Sequence, residues 1–161
     1  MYTIQRHLNY NTWATGKAVE VLSSVDEKHF DTEVKSSFTT LRKTVFHLWD
    51  AEQIWLTRIQ GGTPKSWPSV NFTGTTSGML DGWKKTSNEL AEFISSKDRI
   101  FLDQEIHYKN MKGIEFTQPI EDILFHLVNH GSFHRGQLVT MLRGLGFEKF
   151  TSQDLIAYMR L

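Results

Sequence analysis

The sequence predicts an all-α fold, a four-helix bundle with a short β-like excursion between the third and fourth helices. Four long segments carry apolar residues at steps of three and four, the period of an amphipathic helix. Between the last two segments that period gives way to β-branched and aromatic residues. A chain of 161 residues suits one core, so we expect a single domain over residues 1–161.

The first two helices are predicted over residues 3–22 and 39–60. The apolar residues of the first are Ile4, Leu8, Trp13, Ala14, Ala18, Val21 and Leu22. Those of the second are Leu41, Val45, Leu48, Trp55 and Ile59. Gly61 and Gly62 follow directly and stop the second helix, because glycine favours helix ends over helix interiors.

The third helix is predicted over residues 76–96. It follows a connection rich in Gly, Ser, Thr and Pro, residues 61–78, whose Trp67 and Phe72 should pack back onto the bundle. The apolar residues in helical phase are Leu80, Trp83, Leu90 and Ile94.

The excursion and the fourth helix complete the bundle. Residues 100–117 have β-branched and aromatic residues on both sides of a KNMKG turn, which predicts two short strands. The fourth helix should begin near Thr117, with Pro119 and two acidic residues in its first turn, and run to about Gly144. Four long helices with short connections favour a bundle.

Composition excludes several classes of function. Eighteen basic residues balance eighteen acidic ones, so no net field attracts nucleic acid or an anionic membrane. The chain has no cysteine, which excludes disulfides, thiolate metal sites and a cysteine nucleophile. With no signal peptide and no long apolar run, we expect a cytoplasmic protein that binds neither nucleic acid nor membrane.

Three of the seven histidines stand four residues apart in HLVNHGSFHRGQL, residues 126–138. The buried face of this helix is predicted from Ile120, Leu124, Leu127, Gly131, Leu138, Leu142 and Leu145. At ~100° per residue, His134 lies about 40° from the centre of that face, His130 about 80° and His126 about 120°. Histidines four apart can share one ion, and His130 with His134 is the better pair because it lies nearer the core.

The spacing alone leaves an ordinary structural interpretation open, in which each imidazole hydrogen-bonds a neighbour or water. A third histidine, His47, lies in the second helix, but about 120° from the centre of its apolar stripe. The chain contains no HExxH and no ExxH pair, so neither a zincin nor a di-iron bundle is supported.

The chain resembles the DinB-like family, which includes YfiT-like metal-dependent hydrolases and thiol transferases. The segments that carry the resemblance are LNYNTWATGKAVEVL, SSFTTLRKTVFHLWDAEQIWLTRIQGG, LVNHGSFHRGQLVTMLRGLG and DLIAYMR. The resemblance implies a dimeric four-helix bundle that binds one divalent ion per chain through His47, His130 and His134. Zinc or nickel is expected first, with iron, cobalt or manganese as alternatives.

The residues beside these ligands have more than one interpretation. His126 is a residue at the rim of the site or simply an exposed one, and Arg135 either anchors an anionic group or forms a surface ion pair. Asp50 is interpreted as part of a solvated helix face. Glu52 falls on the apolar stripe of the second helix, so it should find a buried donor or lie beside the site. Asn11 is a pocket donor or an ordinary helix residue.

Two classes of function remain. The first is an enzyme, either a transferase that activates a low-molecular-weight thiol for attack on a small-molecule electrophile or a metal-dependent hydrolase. The resemblance implies mycothiol, bacillithiol or glutathione as the thiol. The second is a non-catalytic, metal-bound dimer used for binding or stress response. A homodimer is expected in either case, because the chain has more large aromatic residues than one small core needs.

Overall fold

A computed structural model describes residues 3–110 and 112–161 of the chain. The helices and strands are α1 (Thr3–Leu22), α2 (Leu41–Ile59), α3 (Pro68–Asn71), α4 (Thr76–Ser95), α5 (Arg99–Leu102), β1 (Glu105–Lys109), β2 (Glu115–Pro119), α6 (Ile120–Gly144) and α7 (Leu155–Tyr158). One 3-10 turn, Glu27–His29, precedes α2. Met111, in the turn of the predicted excursion, lies outside the described residues.

The four long helices α1, α2, α4 and α6 form the predicted bundle. Helix α4 packs against α1 and α2, and α6 packs against the same two helices from the other side. The order around the bundle is therefore α1, α4, α2, α6, which makes α2 and α6 direct neighbours. None of the helices within the described residues is long and apolar enough to cross a membrane.

Local signals set the helix ends close to where the sequence predicts them. Helix α1 has the predicted bounds, while α2 and α4 end within two residues of theirs. The side chain of Thr40 accepts a hydrogen bond from the Lys43 N–H at 3.2 Å, and Thr75 caps α4 through the Gly78 N–H at 3.1 Å. These bonds satisfy N–H groups that have no partner within a helix.

The excursion is an antiparallel hairpin, but it is shorter than predicted. Residues 99–102 form α5 instead of strand, because the Asp98 carboxylate accepts the Phe101 N–H at 2.8 Å and starts a helical turn. At the other end, Thr117 pairs with His107 in the hairpin. Helix α6 consequently begins at Ile120, three residues later than predicted, with two acidic residues in its first turn as expected.

The apolar core falls into two clusters along the bundle. The first is built around Leu8, Leu56, Leu90, Leu124 and their neighbours at one end. The second, at the other end, is built around Leu22, Leu41, Leu48, Trp83, Leu138 and their neighbours.

Each long helix contributes one residue to a group of buried polar side chains that are linked by hydrogen bonds. These four residues, which we call the polar layer, are Asn11, Glu52, Ser87 and Arg135. Each of them is at most 3% exposed to solvent. Buried polar groups are costly unless they are hydrogen-bonded, so the layer requires a physical explanation.

Candidate metal centre

Three histidines from two neighbouring helices meet on the side of the bundle. His47 projects from α2, and His130 and His134 project from α6. One ring nitrogen from each lies within 4.8 Å of the other two. The Nε2 atoms of His47 and His130 are 2.8 Å apart. The structure thus brings together the three ligands that the family resemblance implies.

Helical periodicity explains which histidines of α6 enter the cluster. Burial decreases from His134, which is 6% exposed, through the half-buried His130 to the exposed His126, in the order that the helical wheel predicts. The His126 ring lies 5.6 Å from that of His130. His126 is accordingly at the rim of the cluster and does not belong to the group of potential ligands.

Burial keeps the three imidazoles neutral. It lowers the pKa of His47 to about 4 and that of His130 to about 3, and the charges of neighbouring histidines contribute to both shifts. Burial also lowers the pKa of His134, against a hydrogen bond that His134 donates to Gln137 and that raises it. Neutral imidazole is the form that binds a metal ion, so the cluster is ready to accept a cation at neutral pH.

The donor set fits a divalent ion. Zinc–nitrogen bonds are ~2.0–2.1 Å long, so two nitrogens on one ion lie no more than about 4.2 Å apart. The observed separations, from 2.8 Å to within 4.8 Å, come into this range with small side-chain rotations. Three nitrogen ligands also leave a position free for a further ligand, as in catalytic zinc sites.

Gln137 fixes the orientation of one potential ligand. Its Oε1 atom lies 2.8 Å from His134 Nδ1, and its Nε2 donates to the Ser37 hydroxyl at 2.9 Å. Because the Gln137 amide donates to Ser37, its carbonyl oxygen must accept the proton of His134 Nδ1, which leaves His134 Nε2 free as a ligand. Gln137 was not predicted as a site residue, although its position three residues after His134 is the signal for such a contact.

Phe38 forms an aromatic wall of the site. Its ring stacks on that of His47 at 4.2 Å between centroids and lies 5.7 Å from that of His134. The segment before α2 therefore reaches the cluster twice, through Phe38 and through the bond between Ser37 and Gln137. Phe38 was not predicted as a site residue, because a residue between helices carries no periodic signal.

Arg135 is not in a surface ion pair, and that interpretation was wrong. The side chain is 2% exposed and donates from Nη1 to Asn11 Oδ1 at 2.6 Å. Glu52, as expected, finds a buried donor, the Asn11 Nδ2 at 2.8 Å. Both charged residues thus belong to the polar layer. A single-helix wheel cannot show this, since the bonds cross between three helices.

Asp50 has a structural partner rather than a purely solvated position. Its Oδ1 accepts the Ser69 N–H at 2.8 Å, which ties α3 to α2, and burial raises its pKa. No described carboxylate joins the three histidines as a fourth potential ligand.

Proteins with similar sequences are known. The sequence profile of the DinB family matches residues 1–159. The chain is 22% identical over 145 residues to Protein DinB from Bacillus subtilis (strain 168), which covers 86% of this chain and 83% of that protein.

Solved structures share the fold. YfiT from Bacillus subtilis, described as a probable metal-dependent hydrolase with an unusual four-helix bundle topology, superposes with a TM-score of 0.70 at 12% identity, covering 92% of this chain and 91% of that one. A DinB-like protein from Bacillus cereus gives a TM-score of 0.69 at 19% identity, covering 91% and 95%. One from Bacillus subtilis gives 0.68 at 14% identity, covering 92% and 97%.

The geometry predicts which histidine substitutions remove the metal. His130→Ala removes one of the three potential ligands, so stoichiometric zinc binding should be lost, whereas His126→Ala should retain about one ion per chain. Elemental analysis after dialysis against zinc measures both variants. Equal loss of zinc in the two variants would show that the ligand assignment is wrong.

The polar layer predicts a pH-dependent stability. Burial raises the pKa of Glu52 from 4.5 to about 7, against bonds from Asn11 and the charge of Arg135 that lower it. Folded protein therefore holds this proton to higher pH than unfolded protein, so the contribution is fully present below pH 4.5 and is lost as pH rises through 7. Relative to Glu52→Gln, the wild type should lose roughly 3 kcal/mol of unfolding free energy over this window.

Urea unfolding of both metal-free proteins at several pH values measures that difference. The histidines titrate in both proteins, so their effect cancels in the comparison. A difference that stays constant between pH 5 and pH 8 would contradict the buried, proton-binding carboxyl group.

Proposed function

The chain belongs to the DinB family, and from that premise we propose that it is a metal-dependent thiol transferase. It would bind one divalent ion through His47, His130 and His134 and join a low-molecular-weight thiol to an organic electrophile. Zinc or nickel is the proposed ion, with iron, cobalt and manganese as alternatives that three imidazoles also suit.

The observation that carries this proposal is the neutral donor set. Among the described residues, no carboxylate belongs to the cluster of potential ligands, and none is among the causes of the pKa shifts of the three histidines. The charge of a bound dication would therefore not be reduced by a carboxylate ligand. Such an ion supplies Lewis acidity, which favours the anionic form of a thiol.

The reaction can be written with a simple balance. The sulfur electron pair forms a bond to an electrophilic carbon, the leaving group departs with its bonding pair, and the thiol proton passes to solvent. The chain's own residues hold the site ready for this step. Gln137 orients His134, and the ring of Phe38 shields His47 from water on one side.

A hydrolase is the second candidate, and the likeness to YfiT favours it. YfiT is described as a probable metal-dependent hydrolase, and its fold matches over 92% of this chain. Hydrolytic zinc sites of the peptidase type include a carboxylate ligand or a carboxylate base. None of the described carboxylates joins the three histidines as a ligand, which is why we favour thiol transfer.

Thiol transfer and hydrolysis predict opposite responses to added thiol. With a halogenated aromatic electrophile, holo protein should form the thioether with bacillithiol, glutathione or mycothiol, and the apparent thiol affinity should improve as pH approaches the thiol's pKa. Product formation is followed by absorbance. Protein treated with a chelator, and His134→Ala, should lose the activity.

His126→Ala is the matched control, because it removes an exposed histidine of the same helix and leaves the potential ligands in place. Transfer that survives in both metal-free samples would refute metal-dependent activation. Turnover with water alone that added thiol inhibits would favour the hydrolase. Metal-bound protein inert toward all thiols and electrophiles would favour the non-catalytic dimer.

We also propose that the protein is a homodimer. Several large apolar side chains remain exposed on the isolated chain, among them Val70 at 65% and Phe133 at 61%, and such residues are typical of interfaces. Sedimentation velocity should show a dimer at micromolar concentration. A monomer that persists at high concentration would contradict this.

A further inference from the structure

The polar layer joins all four bundle helices through one side chain. Asn11 on α1 donates from Nδ2 to Glu52 Oε1 on α2 at 2.8 Å and accepts at Oδ1 from Arg135 Nη1 on α6 at 2.6 Å. The same Nδ2 lies 3.3 Å from the Ser87 hydroxyl on α4. Asn11 therefore ties both metal-binding helices to a common point.

A glycine on α6 makes room for this arrangement. A Cβ atom at Gly131 would lie 2.6 Å from Asn11 Oδ1 and 2.7 Å from Arg135 Nη1, closer than such atoms can approach. The atoms in the way are the ends of two side chains, so a methyl group there would displace the Arg135–Asn11 bond while leaving the backbone path open. By contrast, Gly136 on the same helix faces nothing within 4 Å.

The layer lies beside the histidine cluster. Arg135 of the layer follows His134 directly, and Gly131, which makes room for the layer, follows His130 directly. On α2, Glu52 is five residues from His47, which is ~7.5 Å along the helix axis. A rotation or shift of either helix at the layer would move the imidazoles by a similar amount.

Stability alone does not explain these residues. Burial raises the pKa of the Glu52 carboxyl group, and neither Glu52 Oε2 nor Arg135 Nε has a hydrogen-bond partner among the described residues. Well-packed apolar side chains at such positions are often as stabilising as a buried charged pair. Hydrogen bonds are directional, so these polar residues fix one relative placement of the helices.

We propose that Asn11, Glu52 and Arg135 are positioning residues, which hold α2 and α6 at the separation and rotation that let His47, His130 and His134 share one ion. This inference rests on the proposed metal centre. It concerns the affinity and geometry of metal binding, and it does not depend on which reaction, if any, the bound metal supports.

A matched pair of glycine substitutions on α6 tests the proposal. Gly131→Ala and Gly136→Ala add the same methyl group and the same helix propensity, but only the first displaces the Arg135–Asn11 bond. Zinc dissociation constants are measured by competition with a chelator, and cobalt-loaded protein gives a visible spectrum that reports ligand geometry. Gly131→Ala should weaken zinc binding roughly 10–100-fold and alter the cobalt spectrum, and Gly136→Ala should do neither.

Two further variants separate positioning from folding. Glu52→Gln keeps the oxygen that accepts the hydrogen bond from Asn11. This variant should therefore bind zinc within about threefold of wild type, a change no larger than the modest net free energy of one hydrogen bond. Ile94→Ala, in the apolar core of α4 and 3% exposed, should lower the melting temperature without changing the cobalt spectrum. Circular dichroism establishes that each variant is folded, and Arg135→Lys replaces Gly131→Ala if that variant does not fold.

The outcomes are distinguishable. Wild-type zinc affinity and an unchanged cobalt spectrum in a folded Gly131→Ala or Arg135→Lys variant would overturn the positioning role and leave the layer as a structural feature. Wild-type protein that binds no zinc would instead refute the metal centre itself. A weaker, spectrally altered site in the layer variants, with Ile94→Ala unaffected, would support the proposal.

Discussion

The relative placement of α2 and α6 is the constraint on which the rest of the structure depends. One potential ligand comes from α2 and two from α6, and their nitrogens must meet within a few ångströms. Apolar packing between helices is non-directional and tolerates small rotations. The two apolar clusters thus provide stability at the ends of the bundle, while the hydrogen bonds of the polar layer fix its middle.

The chemistry of the site follows from its position between helices. His47 and His130 are half-buried, which holds their pKa values at about 4 and about 3 and keeps the imidazoles neutral. Two neighbours limit the rotation of the imidazoles. Phe38 stacks on the ring of His47, and Gln137 accepts a hydrogen bond from His134 Nδ1. A neutral, preoriented set of nitrogen donors is suited to a dication whose charge remains available to another ligand.

The sequence was sufficient for much of the fold and for part of the site. Periodicity predicted the four long helices, because the apolar face of each one must be buried, and the helical wheel correctly ordered the burial of His126, His130 and His134. It could not place His47, which is off the apolar stripe of α2 and entered only through the family resemblance. Arg135 was misinterpreted, since its partner Asn11 is 124 residues away.

The most direct test of this account is to locate the ion. Crystals grown with zinc would be measured at energies above and below the zinc absorption edge, which gives an anomalous peak only where zinc is bound. We expect one strong peak per chain within bonding distance of His47, His130 and His134. A peak elsewhere, or an ordered cluster in which His47 and His130 remain hydrogen-bonded to each other without zinc, would contradict the account.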